Sequence, residues 1–148
     1  MKPDPQRMLE LLAGALATDV MPNVQPRYRQ TSVAILAGIA LAAREEFERA
    51  AARRAEENAA LRALFGASAE VVRDAGLGAR LRAAAVTRDE SLRVSALDAS
   101  NQALRTLLIE LHAHVETLVT PAARALDEAI WTELVSSAER RRLSAAPF

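Results

Sequence analysis

The side chains best suited to acid–base or metal chemistry lie in residues 110–116, which hold the only two histidines of the chain. His114 follows Glu110 by four residues. Glu116 follows His112 at the same spacing, so each pair shares one side of a helix. The two pairs lie on opposite sides of a leucine stripe, whereas di-iron bundles need Glu-x-x-His on two helices. We therefore expect no metal ion, no cofactor, and histidines that form local ion pairs.

Covalent catalysis has no signature in this sequence. The chain contains no cysteine, and no serine stands in a G-x-S-x-G turn. Gly76 and Gly78 flank a single residue, a pattern more typical of a turn than of a phosphate-binding loop. The sequence therefore assigns no catalytic residue and favours a protein that is not an enzyme.

A charged interruption occupies residues 44–58, inside an otherwise apolar helical pattern. Glu46 and Arg53 fall on or near the apolar side of that helix. Three interpretations are open: a solvated segment where the helix extends beyond its bundle, a dimer contact with ion pairs between subunits, or the polar wall of a pocket. In the pocket interpretation, the candidate ligand-binding residues are Glu46, Arg53, Glu110 and His114.

Two arginines flank Tyr28 at the start of the same helix, namely Arg27 and Arg29. The free N–H groups and the dipole of a helix N-terminus favour anions. Arg27 and Arg29 are therefore candidate anion-binding residues. In the alternative interpretation, Tyr28 packs on the first helix while both arginines remain in water.

One long helix, predicted over residues 26–65, must position these groups. Its apolar side chains fall on one arc at 100° per residue, and we expect the part from Tyr28 to Phe47 to belong to the core. A helix of about 40 residues spans roughly 60 Å, so it needs several partner helices or a second subunit. Gly66 is expected to end it. The predicted arc comprises Tyr28, Ile35, Leu36, Ile39, Ala43, Phe47, Ala50, Leu61, Leu64 and Phe65.

Three further main helices are predicted, and the first of them precedes the long helix. It begins with Asp4 as N-cap and Pro5 at the first helical position. It should end near Pro22, because the residue before a proline is pushed out of the α region. Short helices are expected after the long helix, over residues 68–74 and 79–86.

The remaining two main helices occupy the C-terminal half. The third begins with a capping box at Thr87. Polar side chains at residues 98–101 compete for the backbone, so the sequence leaves open whether the helix kinks or breaks there. The fourth begins at Pro121 and turns Trp131 toward the core. The sequence therefore predicts an all-α bundle of four main helices, with one long central helix and short intervening helices.

Length and charge limit the remaining possibilities. A chain of 148 residues has the size of one domain, so we expect a single helical domain over residues 1–148, with frayed termini at 1–3 and 144–148. Nineteen basic residues balance nineteen acidic ones, which argues against nucleic-acid binding. The longest uncharged stretch, residues 30–43, is shorter than the ~20 residues of a membrane span. We expect a cytoplasmic protein that binds neither nucleic acid nor membrane.

The N-terminal part of the chain resembles a known family. The resemblance rests on residues 8–12 (MLELL), 20–22 (VMP), 28–29 (YR), the apolar run into 44–45 (RE), and 61–66 (LRALFG). This order is similar to the opening of a family of small, uncharacterised bacterial all-helical proteins, often encoded beside aminoglycoside-phosphotransferase-like kinases and acyl-CoA dehydrogenases. The resemblance covers the first ~66 residues. It implies a non-catalytic accessory protein in a metabolic gene cluster and supplies no active-site residues.

The absent catalytic motifs and the overlong helix together favour a helical interaction or accessory protein. We expect a homodimer that associates with a metabolic partner enzyme. The alternative is a small-molecule-binding or catalytic bundle, with a polar pocket lined by the four candidate ligand-binding residues. That alternative requires the four side chains to converge in one cavity.

Overall fold

The computed structural model describes residues 4–144, and every regular element in that range is helical. The helices are α1 (Pro5–Ala15), α2 (Tyr28–Ser68), α3 (Ala75–Ala85), α4 (Val94–Val115) and α5 (Pro121–Arg141). A π-helical turn and a 3₁₀ turn continue α1 to Asn23. The all-α prediction is confirmed, with α2 as the long helix and α3 as a short helix between the second and third main helices.

The N-terminus of α1 forms as predicted. The Asp4 carboxylate accepts hydrogen bonds from the backbone N–H groups of Gln6 and Arg7, at 3.0 and 3.4 Å. Pro5 occupies the first helical position, where its missing N–H leaves no hydrogen bond unmade.

The C-terminus of α2 differs from the prediction. Gly66 does not end the helix, which continues to Ser68. The predicted short helix over residues 68–74 is wrong as well, because turns connect Ser68 to Asp74. Asp74 instead caps α3, since its carboxylate accepts a hydrogen bond from the Leu77 N–H at 2.6 Å.

The start of α4 also differs from the prediction. The Thr87 capping box is wrong: the Thr87 hydroxyl donates to the Ala84 carbonyl at the end of α3, at 2.7 Å, and α4 begins several residues later. The helix is continuous through residues 98–101. Asn101 donates its side-chain N–H to Asn58 on α2 at 2.9 Å. Its amide therefore does not compete for the local backbone, and the break that the sequence left open does not occur.

The chain divides into two compact units, of which the first comprises Met1–Ala50 and Arg142–Phe148. In this unit α1 runs antiparallel to the first part of α2, since Gln6 near the start of α1 bonds to Glu48. Small residues form the core between the two helices. Ala13, Ala37 and Ala40 are buried there, with Leu16 and Leu41 packed against them.

The second unit, Ala51–Arg141, contains the rest of α2 together with α3, α4 and α5. The predicted leucine stripe of α4 faces its core. Trp131 does not, because it is 54% exposed and neighbouring Ile130 takes the buried position. The single-domain assignment of residues 1–148 stays a prediction. The core comprises Leu61, Phe65, Val72, Leu77, Leu81, Leu104, Leu108, Leu111, Val115, Ala123, Leu126 and Ile130.

The predicted apolar arc of α2 is buried in the second unit, where Leu61 and Phe65 are 2% and 0% exposed. In the first unit, Ala50 is its one buried member, and its large side chains from Tyr28 to Phe47 are exposed. This part of α2 contributes Val33, Ala37 and Ala40 to a core instead, so the prediction is wrong for the large side chains of the arc. Helix α1 packs on the alanine side of α2. Small side chains at the contact let the two helices approach closely, and the large side chains of α2 remain outside that contact.

Candidate functional site: a buried polar network and an exposed apolar face

The charged interruption of α2 is buried over part of its length. Arg53, Glu57 and Asn58 are 5%, 2% and 0% exposed. Charged side chains are almost never buried this far unless they are paired. The interpretation of the whole interruption as a solvated segment is therefore wrong. Glu57 and Asn58 form hydrogen bonds with a group of polar side chains that we call the Glu57 network. It consists of Glu57, Asn58, Arg62, Asp89, Asn101, Arg105, Ser137 and Arg141.

Glu57 is the centre of this network. Its Oε1 accepts a hydrogen bond from Arg105 Nη1 at 2.5 Å. Arg141 Nη2 donates to both carboxylate oxygens, at 2.9 and 2.8 Å, and the Ser137 hydroxyl donates to Oε1. Three helices therefore meet at one carboxylate, because the partners of this α2 residue lie on α4 and α5.

Two amide side chains connect Glu57's partners to a second ion pair. Arg141 Nη2 donates to Asn101 Oδ1 at 3.2 Å, and Asn101 Nδ2 donates to Asn58 Oδ1 at 2.9 Å. Asn58 in turn donates to Asp89 at 3.0 Å. Asp89 accepts two hydrogen bonds from Arg62, at 2.7 and 3.1 Å. This bidentate geometry is the strong form of an arginine–carboxylate pair.

The surroundings of both carboxylates keep them ionised. Burial alone would raise the pKa of Glu57, but the hydrogen bonds from Ser137 and Arg141 and the nearby positive charges outweigh it, so its pKa is lowered. The hydrogen bonds from Arg62 lower the pKa of Asp89. Both groups therefore carry their negative charge at neutral pH.

Glu133, a partly buried carboxyl group of the second unit, behaves in the opposite way. Burial raises the pKa of Glu133, although Arg140 lies beside it and donates to its Oε1. Arg53 donates to the backbone carbonyl of Arg140 at 3.4 Å. A side chain of α2 thus also bonds to the backbone of α5 outside the Glu57 network.

The chemistry of the Glu57 network is that of a structural core. A carboxylate held ionised by two guanidinium groups is a weak general base at neutral pH, and no histidine lies among its hydrogen-bond partners. Buried amides in an apolar stripe set the register of packed helices. The sequence contained that signal, because Asn101 occupies the stripe position of α4 between Leu97 and Leu104.

The four predicted ligand-binding residues have separate surroundings. Glu46 belongs to the first unit and the other three to the second. Arg53 bonds to a backbone carbonyl of α5, whereas Glu110 forms an exposed ion pair with an arginine of α3 at 2.5 Å. The Nε2 atom of His114 is buried and has no hydrogen-bond partner among the described residues. Their ligand-binding role stays a prediction.

The two predicted anion-binding residues, Arg27 and Arg29, are both exposed at the start of α2. Neither forms an ion pair with a described residue. Tyr28 between them is 71% exposed, so the interpretation in which it packs on α1 is wrong. The anion-binding role of the two arginines stays a prediction.

The histidine pairs differ in their partners. His112 Nε2 lies 2.9 Å from Asp127 on α5 and 3.7 Å from Glu116 on its own helix. The interhelical contact, which the spacing of residues did not predict, is therefore the shorter one. The His112 ring also packs edge-on against Trp131, with 5.4 Å between ring centroids. Within residues 4–144, no group of three or more His, Cys, Asp or Glu side chains could hold a metal ion.

A cavity of about 350 Å³ lies in the first unit beside the start of the charged interruption. Arg44, Glu45 and Leu41 line it, whereas Glu46 does not. Glu45 accepts hydrogen bonds from the backbone N–H and the hydroxyl of Ser144, at 2.9 and 2.8 Å. Ser144, which was predicted to fray, is thus hydrogen-bonded. The other predicted frayed residues, 1–3 and 145–148, lie outside the described residues.

The first unit carries a group of large hydrophobic side chains that are between 44% and 71% exposed. We call this group the hairpin face. It consists of Met8, Leu11, Leu12, Tyr28, Ile35, Leu36, Ile39 and Phe47.

Helical geometry places these side chains on one side of the hairpin. The five on α2 fall within an arc of about 120°, and the three on α1 within about 100°. Each arc lies next to the alanine side through which the two helices contact. Because the helices are antiparallel and both right-handed, the two arcs are displaced to the same side of the hairpin. The hairpin face is therefore continuous across both helices.

Comparison with known proteins identifies no family for this chain. No protein-family model matches the chain, and neither a curated protein nor a solved structure matches it. The family resemblance of the N-terminal residues stays a prediction. Across residues 4–144, none of the helices combines the length and the apolar character that crossing a membrane requires.

Proposed function

We propose that this chain is a non-enzymatic helical interaction protein, which forms a homodimer through the hairpin face and acts as an accessory to a metabolic enzyme. The observation that carries the proposal is the exposure of eight large hydrophobic side chains beside a core made mainly of alanine. Contiguous exposed apolar patches larger than a few hundred Å² are typical of interaction sites.

The size of the hairpin face supports association with another protein. An aromatic side chain buries roughly 150–250 Å² when fully covered, and a large aliphatic one about 60–120 Å². Since the eight side chains are about half exposed, covering them would remove roughly 500–600 Å² from water per copy, which is most of the ~800 Å² that one partner contributes to a standard interface. A hairpin with so small a core of its own gains most of its apolar burial from such a contact.

The proposed partner enzyme rests on the N-terminal resemblance, and a smaller apolar patch in the second unit supports it. Trp131 and Val135 on α5 are 54% and 61% exposed, and Ile109 on α4 is 70% exposed. The ring contact between Trp131 and His112 brings the two helices side by side. Exposed tryptophan is the residue type most enriched where binding energy concentrates.

Sedimentation equilibrium tests the homodimer. We expect a dimer at tens of micromolar for the native chain, and a monomer for the double variant Leu36→Glu/Ile39→Glu, because two charges in the hairpin face would have to be buried unpaired. The matched control is Ile109→Glu, an equally exposed hydrophobic residue of the second unit, which should remain dimeric. A native chain that sediments as a monomer at this concentration overturns the proposal.

The accessory role has its own test. The enzyme encoded beside the gene is purified, mixed with the chain, and the mixture is separated by size-exclusion chromatography. We expect a joint peak with the native chain and separate peaks with Trp131→Ala. Separate peaks with the native chain would remove the partner enzyme from the proposal and leave the homodimer in place.

A further inference from the structure

We infer that, in the proposed homodimer, the two copies of α2 pack antiparallel through their hairpin faces, with the two-fold axis level with residues 37–38. This inference rests on the proposed homodimer and specifies its geometry.

The α2 part of the hairpin face has an aromatic residue at each end and aliphatic residues between them. It begins at Tyr28 and ends at Phe47, and its midpoint lies between Leu36 and Ile39. In a two-fold interface the same patch is used on both subunits. An antiparallel contact centred on the midpoint covers the whole stripe on both copies. Tyr28 of one copy then lies level with Phe47 of the other.

The charges along α2 favour the antiparallel direction. Between residues 27 and 43 the charged side chains are Arg27 and Arg29, whereas residues 44–49 contain three glutamates and two arginines. Antiparallel packing brings the basic end of one copy beside the acidic end of the other. Parallel packing would bring arginine beside arginine, and like charges facing each other across an interface are costly.

This arrangement supplies an anion for Arg29, one of the two predicted anion-binding residues. Arg29 is level with Glu46 of the second copy, and at 100° per residue both fall within the arc of the hairpin face. Glu48 lies on the other side of α2, where it accepts a hydrogen bond from Gln6 of α1. The carboxylate ligand that we assign to Arg29 is therefore Glu46 of a second copy of this chain.

The remaining part of the hairpin face extends the same contact. Met8, Leu11 and Leu12 of α1 lie on the same side of the hairpin as the α2 stripe. Two hairpins that meet through this side form a four-helix bundle, in which each copy contributes two helices. The large side chains that the alanine core leaves outside would then form the centre of that bundle.

Single cysteines test the direction, because the native chain contains none. In the antiparallel dimer, the two copies of residue 28 lie about 28 Å apart along the helix axis, at 1.5 Å per residue, whereas residue 36 lies close to its own copy. With a short bismaleimide crosslinker, we expect Leu36→Cys to form covalent dimers and Tyr28→Cys alone to remain monomeric on denaturing gels. An equal mixture of Tyr28→Cys and Phe47→Cys should crosslink. Ile109→Cys serves as the uncrosslinked control.

The outcomes separate the geometry from the homodimer. Each variant is first checked for helicity by circular dichroism and for dimerisation by sedimentation. If Tyr28→Cys forms covalent dimers by itself, and the mixture with Phe47→Cys forms no more of them, the antiparallel inference is overturned while the homodimer stands. A native chain that sediments as a monomer overturns both.

A charge exchange provides a second readout that needs no crosslinker. Arg29→Glu should weaken the dimer several-fold at low salt, and adding Glu46→Arg to the same chain should restore its affinity. The exchange leaves the apolar residues of the hairpin face and the hydrogen bond between Gln6 and Glu48 untouched. If the double variant dimerises no better than the single variant, Arg29 does not face Glu46, and the inference fails.

Discussion

Replacing Glu57 by glutamine removes the charge at the centre of the Glu57 network while keeping the size of the side chain. With its oxygen in the place of Oε1, the amide still accepts hydrogen bonds from Ser137 and Arg105. Its NH₂ group, however, takes the place of Oε2 and faces the guanidinium group of Arg141, which can only donate. The variant therefore loses every ion pair of Glu57 and brings a donor against a donor.

The size of the effect follows from burial. Removing one partner of a buried ion pair costs about 3–5 kcal/mol. Glu57 is 2% exposed, but the side chains of Arg105 and Arg141 are 36% and 39% exposed, so water recovers part of their hydration. We therefore expect Glu57→Gln to lower the free energy of unfolding by about 2–3 kcal/mol.

The assay is urea denaturation at pH 7, followed by the fluorescence of Trp131. This is the only tryptophan of the chain and it lies in the second unit with the Glu57 network, so its emission reports on that unit. With a denaturant dependence of about 1–3 kcal/mol per molar urea, the midpoint should fall by about 0.7–3 M.

Glu110→Gln is the matched control. It makes the same chemical change on the same unit, but in a carboxylate whose ion pair with Arg80 is exposed on both sides. Exposed ion pairs contribute little to stability, so its midpoint should not move measurably. Equal midpoints for Glu57→Gln and Glu110→Gln would refute the reasoning that burial makes this carboxylate important.

The pH dependence adds a check on the sign. The pKa of Glu57 is lowered in the folded chain, so its contribution to stability is present above its unfolded pKa of about 4.3. That contribution is lost as the pH falls through the lower, folded pKa. The difference between the native chain and Glu57→Gln should therefore be full at pH 7 and shrink below about pH 4. A difference that stays constant into strong acid would contradict the lowered pKa.

Two further substitutions test other contacts of the second unit by the same assay. Asp89→Asn leaves Arg62 without its partner in a site where that side chain is only 10% exposed, so we expect a loss of about 3 kcal/mol. Arg62→Leu/Asp89→Leu should be less damaging, because no charge remains unpaired. Asp74→Ala removes the cap of α3 and should cost about 1 kcal/mol, which Asp74→Ser should largely restore.

The sequence was sufficient to locate most of the helices. Asp4 and Pro5 mark the start of α1, since a short acceptor side chain and a missing N–H act locally on the adjacent turn. Thr87 shows the limit of the same logic. Its hydroxyl could satisfy either of two neighbouring helix ends, and its actual use, at the end of α3, depends on Arg62, which donates to it from α2.

The sequence did not determine which side of α2 faces the core. Periodicity identifies an apolar stripe, but a stripe can face a core or a second subunit with equal regularity. The large side chains of the stripe between Tyr28 and Phe47 are exposed because α1 packs on the alanine side of α2. The charged interruption was ambiguous for a related reason, because the sequence shows a charge without showing its partner.

What the sequence by itself determined is local: the all-α class, the positions of most helices, and the leucine stripe of α4. These follow from interactions within a few residues of chain. What only the tertiary structure decided is which groups meet. Glu57 and Arg141 are 84 residues apart, and no spacing rule connects them. Their contact exists because packing brings α2 and α5 together, and the cost of leaving either charge unpaired in that core keeps the contact in place.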